Sequence, residues 1–166
     1  MQSKPVIYRE EGLDSIPTVA FKNKSIQIID LSPALMTIPP GNYIVRPSFP
    51  HRIRVLPENI CELKKLKTLN LTGQNIIKFN DCLYDLPKLE YIDLSYNDKF
   101  DLPDLWKNVN RLKVLKTINL FGIDAAIKDS SIVRSKIDTG KIRIIITQPD
   151  FQNWINQNSG KNKSSD

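Results

Sequence analysis

The chain has 166 residues, 40% of them hydrophobic and 25% charged, which is ordinary for one globular domain with a real core. The net charge of +6 is not concentrated, because residues 56–120 carry ten basic and nine acidic side chains, so nucleic acid is not the expected partner. No run of about 18 apolar residues occurs, and we expect no membrane span.

The N-terminal region, residues 1–55, is predicted to be a cap followed by a degenerate repeat. Residues 1–11 lack the apolar stretch of a signal peptide, so we expect a cytoplasmic protein. Residues 26–39 begin with the spacing IxxIxL and end in Ile-Pro, which predicts the degenerate repeat. Ile53 and Val55 alternate with arginines after a proline-rich stretch, and this pattern predicts a short strand in place of a missing LxxLxL.

The middle of the chain, residues 56–127, is internally repetitive. Three LxxLxL segments start at Leu66, Leu89 and Leu115, and their final alternation predicts strands. The segments before them start 23 residues apart, with an apolar residue at every third position, as in short helices or 3₁₀ helices. The third unit is three residues longer, which one extra helical turn would explain. Units of this kind bury their apolar edges only by stacking, as in a solenoid.

The segment LPENICELKKLKTLNL, residues 56–71, resembles the 23-residue intracellular class of leucine-rich repeat, found in Ras-binding scaffold proteins, plant proteins and bacterial proteins. The resemblance implies an α/β solenoid, a short horseshoe of about four repeats with a parallel sheet on its concave face and atypical capping ends. It also implies that Asn97 ties down the turn after its strand. Gln74 and Ile123 replace that asparagine, so we expect a different turn at Ile123, where the regular repeats end.

The C-terminal region, residues 128–157, is predicted to be a second cap within the same single domain, residues 1–157. Residues 141–149 contain the most β-branched run of the chain and predict a terminal strand. Asp150 is the predicted N-cap of a short helix that places Phe151, Trp154 and Ile155 on one face, over the exposed end of the core. Residues 158–166 are expected to be a flexible tail.

Residues suited to catalysis or metal binding are scarce. Cys61 and Cys82 are predicted to be partly buried free thiols rather than a disulfide framework or a metal site. His51 is the only histidine, no catalytic triad can be assembled, and neither a P-loop nor metal-ligand spacing occurs. We therefore predict that the protein is not an enzyme and has no cofactor, and a site built from scattered residues is only the third hypothesis.

The surface expected to carry function is the concave side of the predicted sheet, where residues between the leucines form outward columns about 4.8 Å apart. Exposed aromatic rings beside small polar groups are typical of protein-binding surfaces. Tyrosine and threonine also have a high intrinsic propensity for strands, which could explain them without a binding role. Tyr91 and Tyr96 are the predicted anchors, with Asp93 between them. The complete set of candidate partner-binding residues is Thr68, Asn70, Thr72, Tyr91, Asp93, Tyr96, Thr117, Asn119 and Phe121.

The leading functional hypothesis is a monomeric protein–protein interaction module, a scaffold, effector or inhibitor, that binds an unidentified protein through the concave sheet. The alternative is a nucleic-acid or anionic-surface binder that uses Arg46, Arg52 and Arg54 of the N-terminal region. A steep dependence of binding on salt would favour the alternative.

Overall fold

The fold is built on one parallel β-sheet, seen in a computed structural model that describes residues 6–7, 16, 21–32, 53–128, 130–137 and 140–159. Its six strands lie side by side in chain order, and every neighbouring pair is parallel. The strands are β1 (Val6–Ile7), β2 (Ile28–Asp30), β3 (Thr68–Asn70), β4 (Tyr91–Asp93), β5 (Thr117–Asn119) and β6 (Arg143–Ile145).

The leucine positions of the repeat line one face of this sheet. Leu69 pairs in register with Ile92, and Ile92 pairs with Ile118, so each repeat places the same position beside its neighbour. All three residues are fully buried, as are Leu71, Leu94 and Leu120 just after the strands. The predicted parallel ladder is therefore confirmed, and the alternation of each strand turns the intervening residues to the opposite face of the sheet, which we call the outer face.

Short helices packed against the same core form the three connections between β2 and β5. The first two are 3₁₀ helices at Glu58–Glu62 and Asp81–Asp85. The third is longer and consists of α1 (Leu102–Asn108) followed by a 3₁₀ turn at Val109–Arg111. The extra helical turn predicted for this unit is confirmed.

The turn after β4 is held by Asn97, whose side chain is fully buried. Its amide nitrogen donates to the carbonyl oxygens of Leu71 and Leu94, both at 2.9 Å, and its Oδ1 accepts the Ile76 N–H at 2.7 Å. Gln74 takes the corresponding role one repeat earlier by donating to the Leu31 carbonyl at 2.6 Å. The role expected of Asn97 is confirmed.

The N-terminal region differs from the prediction in one respect. β2 has the predicted strand, but it pairs directly with β3, so no strand at 53–55 enters the sheet between them. Val55 instead forms an isolated parallel bridge with Lys78 and is 53% exposed. The alternation over 53–55 was misleading because the edge of β3 is already occupied by β2. β1 was not predicted, and residues 33–52, with the rest of the degenerate repeat, lie outside the described residues.

The C-terminal region follows the prediction in outline. The turn at Ile123 keeps the backbone of the earlier turns, because the Ile123 N–H donates to the Leu120 carbonyl and Gly122 has a positive φ, so the expectation of a different turn is wrong. What changes is the segment after it, which forms α2 (Asp124–Lys128) and α3 (Ser130–Lys136). Ala126, Val133 and Ile137 add apolar side chains to the core. β6 is the predicted terminal strand, and α4 (Gln148–Ser159) follows it.

The start of α4 corrects the predicted cap. The helix begins at Gln148, so Asp150 lies in its first turn rather than at the N-cap. Its carboxylate accepts the N–H groups of Ile146 at 3.2 Å and Thr147 at 3.0 Å, while the Asp150 N–H donates to Thr147 Oγ1 at 3.4 Å. This reciprocal pattern is a capping box with Thr147 at the N-cap.

The cysteines also differ from the prediction, because Cys61 and Cys82 form a disulfide with a Cα–Cα distance of 5.7 Å. Each belongs to one of the two successive 3₁₀ helices. Their separation of 21 residues is close to the 23-residue period, so stacking the repeats brings them together. The prediction of free thiols considered the number of cysteines and overlooked this spacing.

Candidate binding surface on the outer face of the sheet

The predicted outward columns exist as ladders across the sheet. Thr68, Tyr91 and Thr117 are neighbours in register, and so are Asn70, Asp93 and Asn119. The ladders extend to Ile28 and Asp30 on β2, and to Arg143 and Ile145 on β6. The sequence therefore placed these side chains on the correct face, but their surroundings differ from what was expected.

The second column holds the ends of the strands together. Asn70 Oδ1 accepts the N–H of Thr72 at 3.1 Å and its hydroxyl at 2.7 Å. Asp93 Oδ1 accepts the same two groups of Ser95, at 2.9 and 2.5 Å. A side chain that binds the backbone two residues ahead forms an Asx turn, and the same N–H contact recurs from Ser32 to Asp30 and from Phe121 to Asn119.

Asp93 is the centre of a buried polar network. Its Oδ2 accepts the amide of Asn119 at 2.9 Å and the hydroxyl of Tyr91 at 2.8 Å. Burial raises the pKa of Tyr91 well above its usual value, and the negative charge of Asp93 raises it further. Asp93 is therefore buried with four donors within the chain, and it does not lie open to a partner between Tyr91 and Tyr96 as predicted.

The aromatic residues of the outer face are covered by the chain's own C-terminal helix. The ring of Phe151 stacks on Phe121 with centroids 5.0 Å apart and planes 13° from parallel. The ring of Trp154 stacks on Tyr91 at 5.9 Å and 22°. Helix α4 therefore crosses the outer face diagonally over β5 towards β4, rather than closing the end of the core as predicted.

These contacts make up an aromatic cluster separate from the core. Phe121 and Ile145 are buried, yet neither belongs to the main cluster of core residues. Ile145 faces outward by its register with Asn119 and is nevertheless fully buried. Of the predicted site residues, Thr72, Asp93, Asn119 and Phe121 are buried, so the expectation that they are accessible is wrong.

Tyr96 has an unusual backbone conformation for its side chain. Its φ is +59°, and the corresponding residues of the neighbouring repeats are Gly73 and Gly122, at +66° and +76°. The Tyr96 ring lies edge-on to Phe121 with centroids 5.7 Å apart. A Cβ on Gly122 would come within 2.5 Å of this ring. Tyr96 thus keeps a strained backbone and joins the covered cluster instead of standing free.

Helix α4 is attached through one face only. Asp150, Phe151, Trp154 and Ile155 are half-buried, and the other described side chains of α4 are exposed. Asp150 also pairs with Arg134 at 2.8 Å. Burial raises the pKa of Asp150, but the hydrogen bonds from Thr147 and Ile146 and the charge of Arg134 outweigh it, and the net pKa lies below its usual value.

A groove of about 740 Å³ runs beside α4 at the amino ends of β5 and β6. Lys116, Lys141 and Arg143 line it from the sheet side and are exposed. Asn153, Trp154 and Gln157 line it from α4, and Arg134 and Asp150 also contribute. This groove was not predicted from the sequence, although Lys116 just before β5 and Lys141 and Arg143 around β6 indicated a basic surface there.

Among the described residues, no aromatic ring stacks on the part of the outer face at β2 and β3. Ile28, Asp30, Thr68 and Asn70 are half-buried side chains at neighbouring register positions, and none takes part in the aromatic contacts to α4. The arginines of the alternative hypothesis are less defined. Arg54 is exposed, and Arg46 and Arg52 lie outside the described residues.

Within the described ranges, no three histidine, cysteine or acidic side chains are arranged to hold a metal ion. The helices in that part of the chain are all too short or too polar to cross a bilayer. The chain matches no protein-family model and no curated protein.

Proposed function

We propose that this chain is a leucine-rich-repeat protein that acts as a non-enzymatic protein–protein interaction module and binds a protein partner through the concave side of its solenoid, the outer face described above. The observation that carries the proposal is the docking of α4, since the outer face already accepts a helix through two aromatic stacks. Stacked aromatic residues are common anchors of protein interfaces.

Among the described residues, the part of this surface that makes no stacking contact with α4 lies on β2 and β3. Ile28 and Thr68 occupy the first column there, with Asp30 and Asn70 beside them. Asp30 and Asn70 each retain a role in the turn after their strand, so their substitution would disturb the fold as well as a contact. The first column is therefore the better place to test binding.

The test is a pull-down from the native host that compares the wild-type chain with two variants. Thr68→Arg places a long charged side chain on the outer face without removing any hydrogen bond seen for the Thr68 side chain. Lys64→Glu with Lys65→Glu is the control, because both lysines are exposed in the connection before β3. Loss of a partner with Thr68→Arg alone supports the proposal, whereas loss with the lysine pair alone contradicts it.

An oxidising compartment fits this chain better than the cytoplasm that the sequence suggested. Disulfides persist outside the reducing cytosol and are rare within it, and Cys61 and Cys82 form one. We propose that the protein works where this bridge is maintained. Labelling of free thiols in protein taken directly from the host tests this, because a cytosolic pool would react at both cysteines and an oxidised pool at neither.

A further inference from the structure

The helix that covers the outer face is poorly matched in charge to the groove beside it. Lys116, Arg134, Lys141 and Arg143 line the groove, while α4 carries a single charged side chain, Asp150, in its sequence QPDFQNWINQNS. Elsewhere along the groove, α4 presents the neutral amides of Asn153 and Gln157.

Among the described residues, carboxylates pair with two of the groove cations and not with Arg143. Arg134 pairs with Asp150, and Lys116 pairs with Glu90, whose pKa is lowered mainly by that hydrogen bond. Arg143 is exposed at the register position beside Thr117. A carboxylate placed near these groups gains a charge-assisted interaction that an amide does not.

The positions that would carry such carboxylates follow from helix geometry. Asp150, Asn153, Trp154 and Gln157 all line the groove, and their spacing of i, i+3, i+4 and i+7 places them along one side of the helix. A helix docked in the same way, with acidic residues at the positions of Asn153 and Gln157, would keep both aromatic stacks and add two carboxylates facing the cations.

We propose that α4 is an internal occupant of a helix-binding site, and that the partner is an acidic amphipathic helix that displaces it. The partner helix carries two aromatic residues at i and i+3, as Phe151 and Trp154 do, and acidic residues at the positions of Asn153 and Gln157. This inference rests on the proposed function, because it specifies the kind of protein that the outer face binds.

The fold allows α4 to leave without unravelling the sheet. β6 is held by its pairing with β5 and by Ile142, Ile144 and Ile146, which belong to the main core. The aromatic rings of α4 lie outside that core, and its face is half-buried at most. To displace α4, a partner must replace two aromatic stacks and the ion pair between Asp150 and Arg134. A helix that makes the same aromatic contacts and adds carboxylates facing the cations can do this.

The experiment uses the full-length chain and two labelled peptides. One peptide copies residues 146–159, and the second carries Asn153→Glu and Gln157→Glu. The proteins are the wild type and a Phe151→Ala/Trp154→Ala variant that weakens the internal helix, and binding is followed by fluorescence anisotropy. The variant must show a wild-type circular dichroism spectrum before its binding is interpreted.

We expect the copied peptide to bind the double variant about tenfold or more tightly than the wild type, because the site of the wild type is occupied. We expect the acidic peptide to bind the double variant about tenfold more tightly than the copied peptide, and this advantage should shrink in high salt and with Arg143→Glu. Equal binding to both proteins, no binding to the double variant, or no advantage for the acidic peptide would overturn the proposal.

A second measurement covers the case in which the double variant does not fold. In the full chain, Asn153→Glu/Gln157→Glu should slow amide exchange in α4, and Asn153→Lys/Gln157→Lys should accelerate it. Unchanged or reversed exchange would rule out the charge match. Peptide binding reports on α4 and the pull-down with Thr68→Arg reports on β3, so failure of the peptide arm leaves the proposed function standing.

Discussion

Replacing Asn97 with alanine tests the most specific link between the repeat sequence and the fold. The side chain is fully buried. Its NH2 group donates to the carbonyls of Leu71 and Leu94 and makes a longer shared contact with the Ser95 carbonyl, while its Oδ1 accepts the Ile76 N–H. The carbonyls of Leu71 and Leu94 keep a second donor, from the N–H groups of Gln74 and Asn97. The Ile76 N–H has no other acceptor among the bonds described, so it is left buried and unsatisfied.

The loss of unfolding free energy in Asn97→Ala can be worked out from these hydrogen bonds. An unsatisfied buried donor costs about 1–3 kcal/mol, and each of the two bonds lost to an otherwise satisfied carbonyl costs about 0.5–1.5 kcal/mol, so we expect Asn97→Ala to destabilise the fold by roughly 2–6 kcal/mol. Gln74→Ala is the matched control, because it removes a single bond, the one to the Leu31 carbonyl, and should cost about 1–3 kcal/mol. Urea unfolding measures both free energies, provided that the slope with denaturant is unchanged. A loss below about 1 kcal/mol for Asn97→Ala, or a larger loss for Gln74→Ala, would refute the reasoning.

Four further predictions concern the core, the bridge, the helix and the tight turn. Leu94→Ala should lower the free energy of unfolding by roughly 2–5 kcal/mol, because the side chain is fully buried among core residues, and a loss under about 1 kcal/mol in urea unfolding would place it outside the core. Reduction of Cys61–Cys82 should lower that free energy by about 3 kcal/mol, the chain-entropy value for a loop of this size, while a Cys61→Ser/Cys82→Ser variant should not respond to reductant. The docking of α4 should weaken in acid, because the lowered pKa of Asp150 gives stability that is present above the ordinary value of 3.8 and is lost as pH falls through the lower folded pKa. The protection of α4 amides from exchange, measured relative to the intrinsic rate at each pH, should therefore fall there, and an Asp150→Asn variant should lack this response. Gly122→Ala should destabilise the fold by more than about 1 kcal/mol, because it combines a positive φ with a collision against the Tyr96 ring, and an unchanged melting temperature would contradict this.

The repeat period predicts the sheet because each unit has only one way to bury its leucines. Alternation in LxxLxL decides which side chains face the core, and the regular spacing aligns Leu69, Ile92 and Ile118. The strand predicted at residues 53–55 does not join the sheet, because local alternation carries no information about whether a neighbouring strand edge is already paired. β1 has two residues, too few for any periodic signal.

The sequence predicted where the candidate residues lie on the sheet but not whether they are accessible. Column positions follow from period two, but accessibility depends on what else packs there, and α4 comes from outside the repeats. The apolar face of α4, with Phe151 and Trp154, was visible in the sequence, yet periodicity does not say whether such a face covers the end of a core or the side of a sheet. The turns formed by Asn70 and Asp93 were also missed, although a short polar residue two positions before threonine or serine is typical of an Asx turn.

The two halves of the outer face now differ in what a partner must do to use them. At β2 and β3, Thr68 and its neighbours are half-buried without a stacking contact to α4, whereas Tyr91 and Phe121 are stacked against its rings. For a partner that contacts both halves, the apparent affinity is the intrinsic affinity multiplied by the fraction of molecules in which α4 is undocked. Replacing Tyr91 and Tyr96 with alanine would therefore not be a clean test of contact. It would remove a stack that holds α4 and a donor to Asp93, so it could open the site while weakening it. Thr68→Arg at one half and the charge changes at Asn153 and Gln157 at the other avoid this ambiguity, because neither set touches the buried network around Asp93.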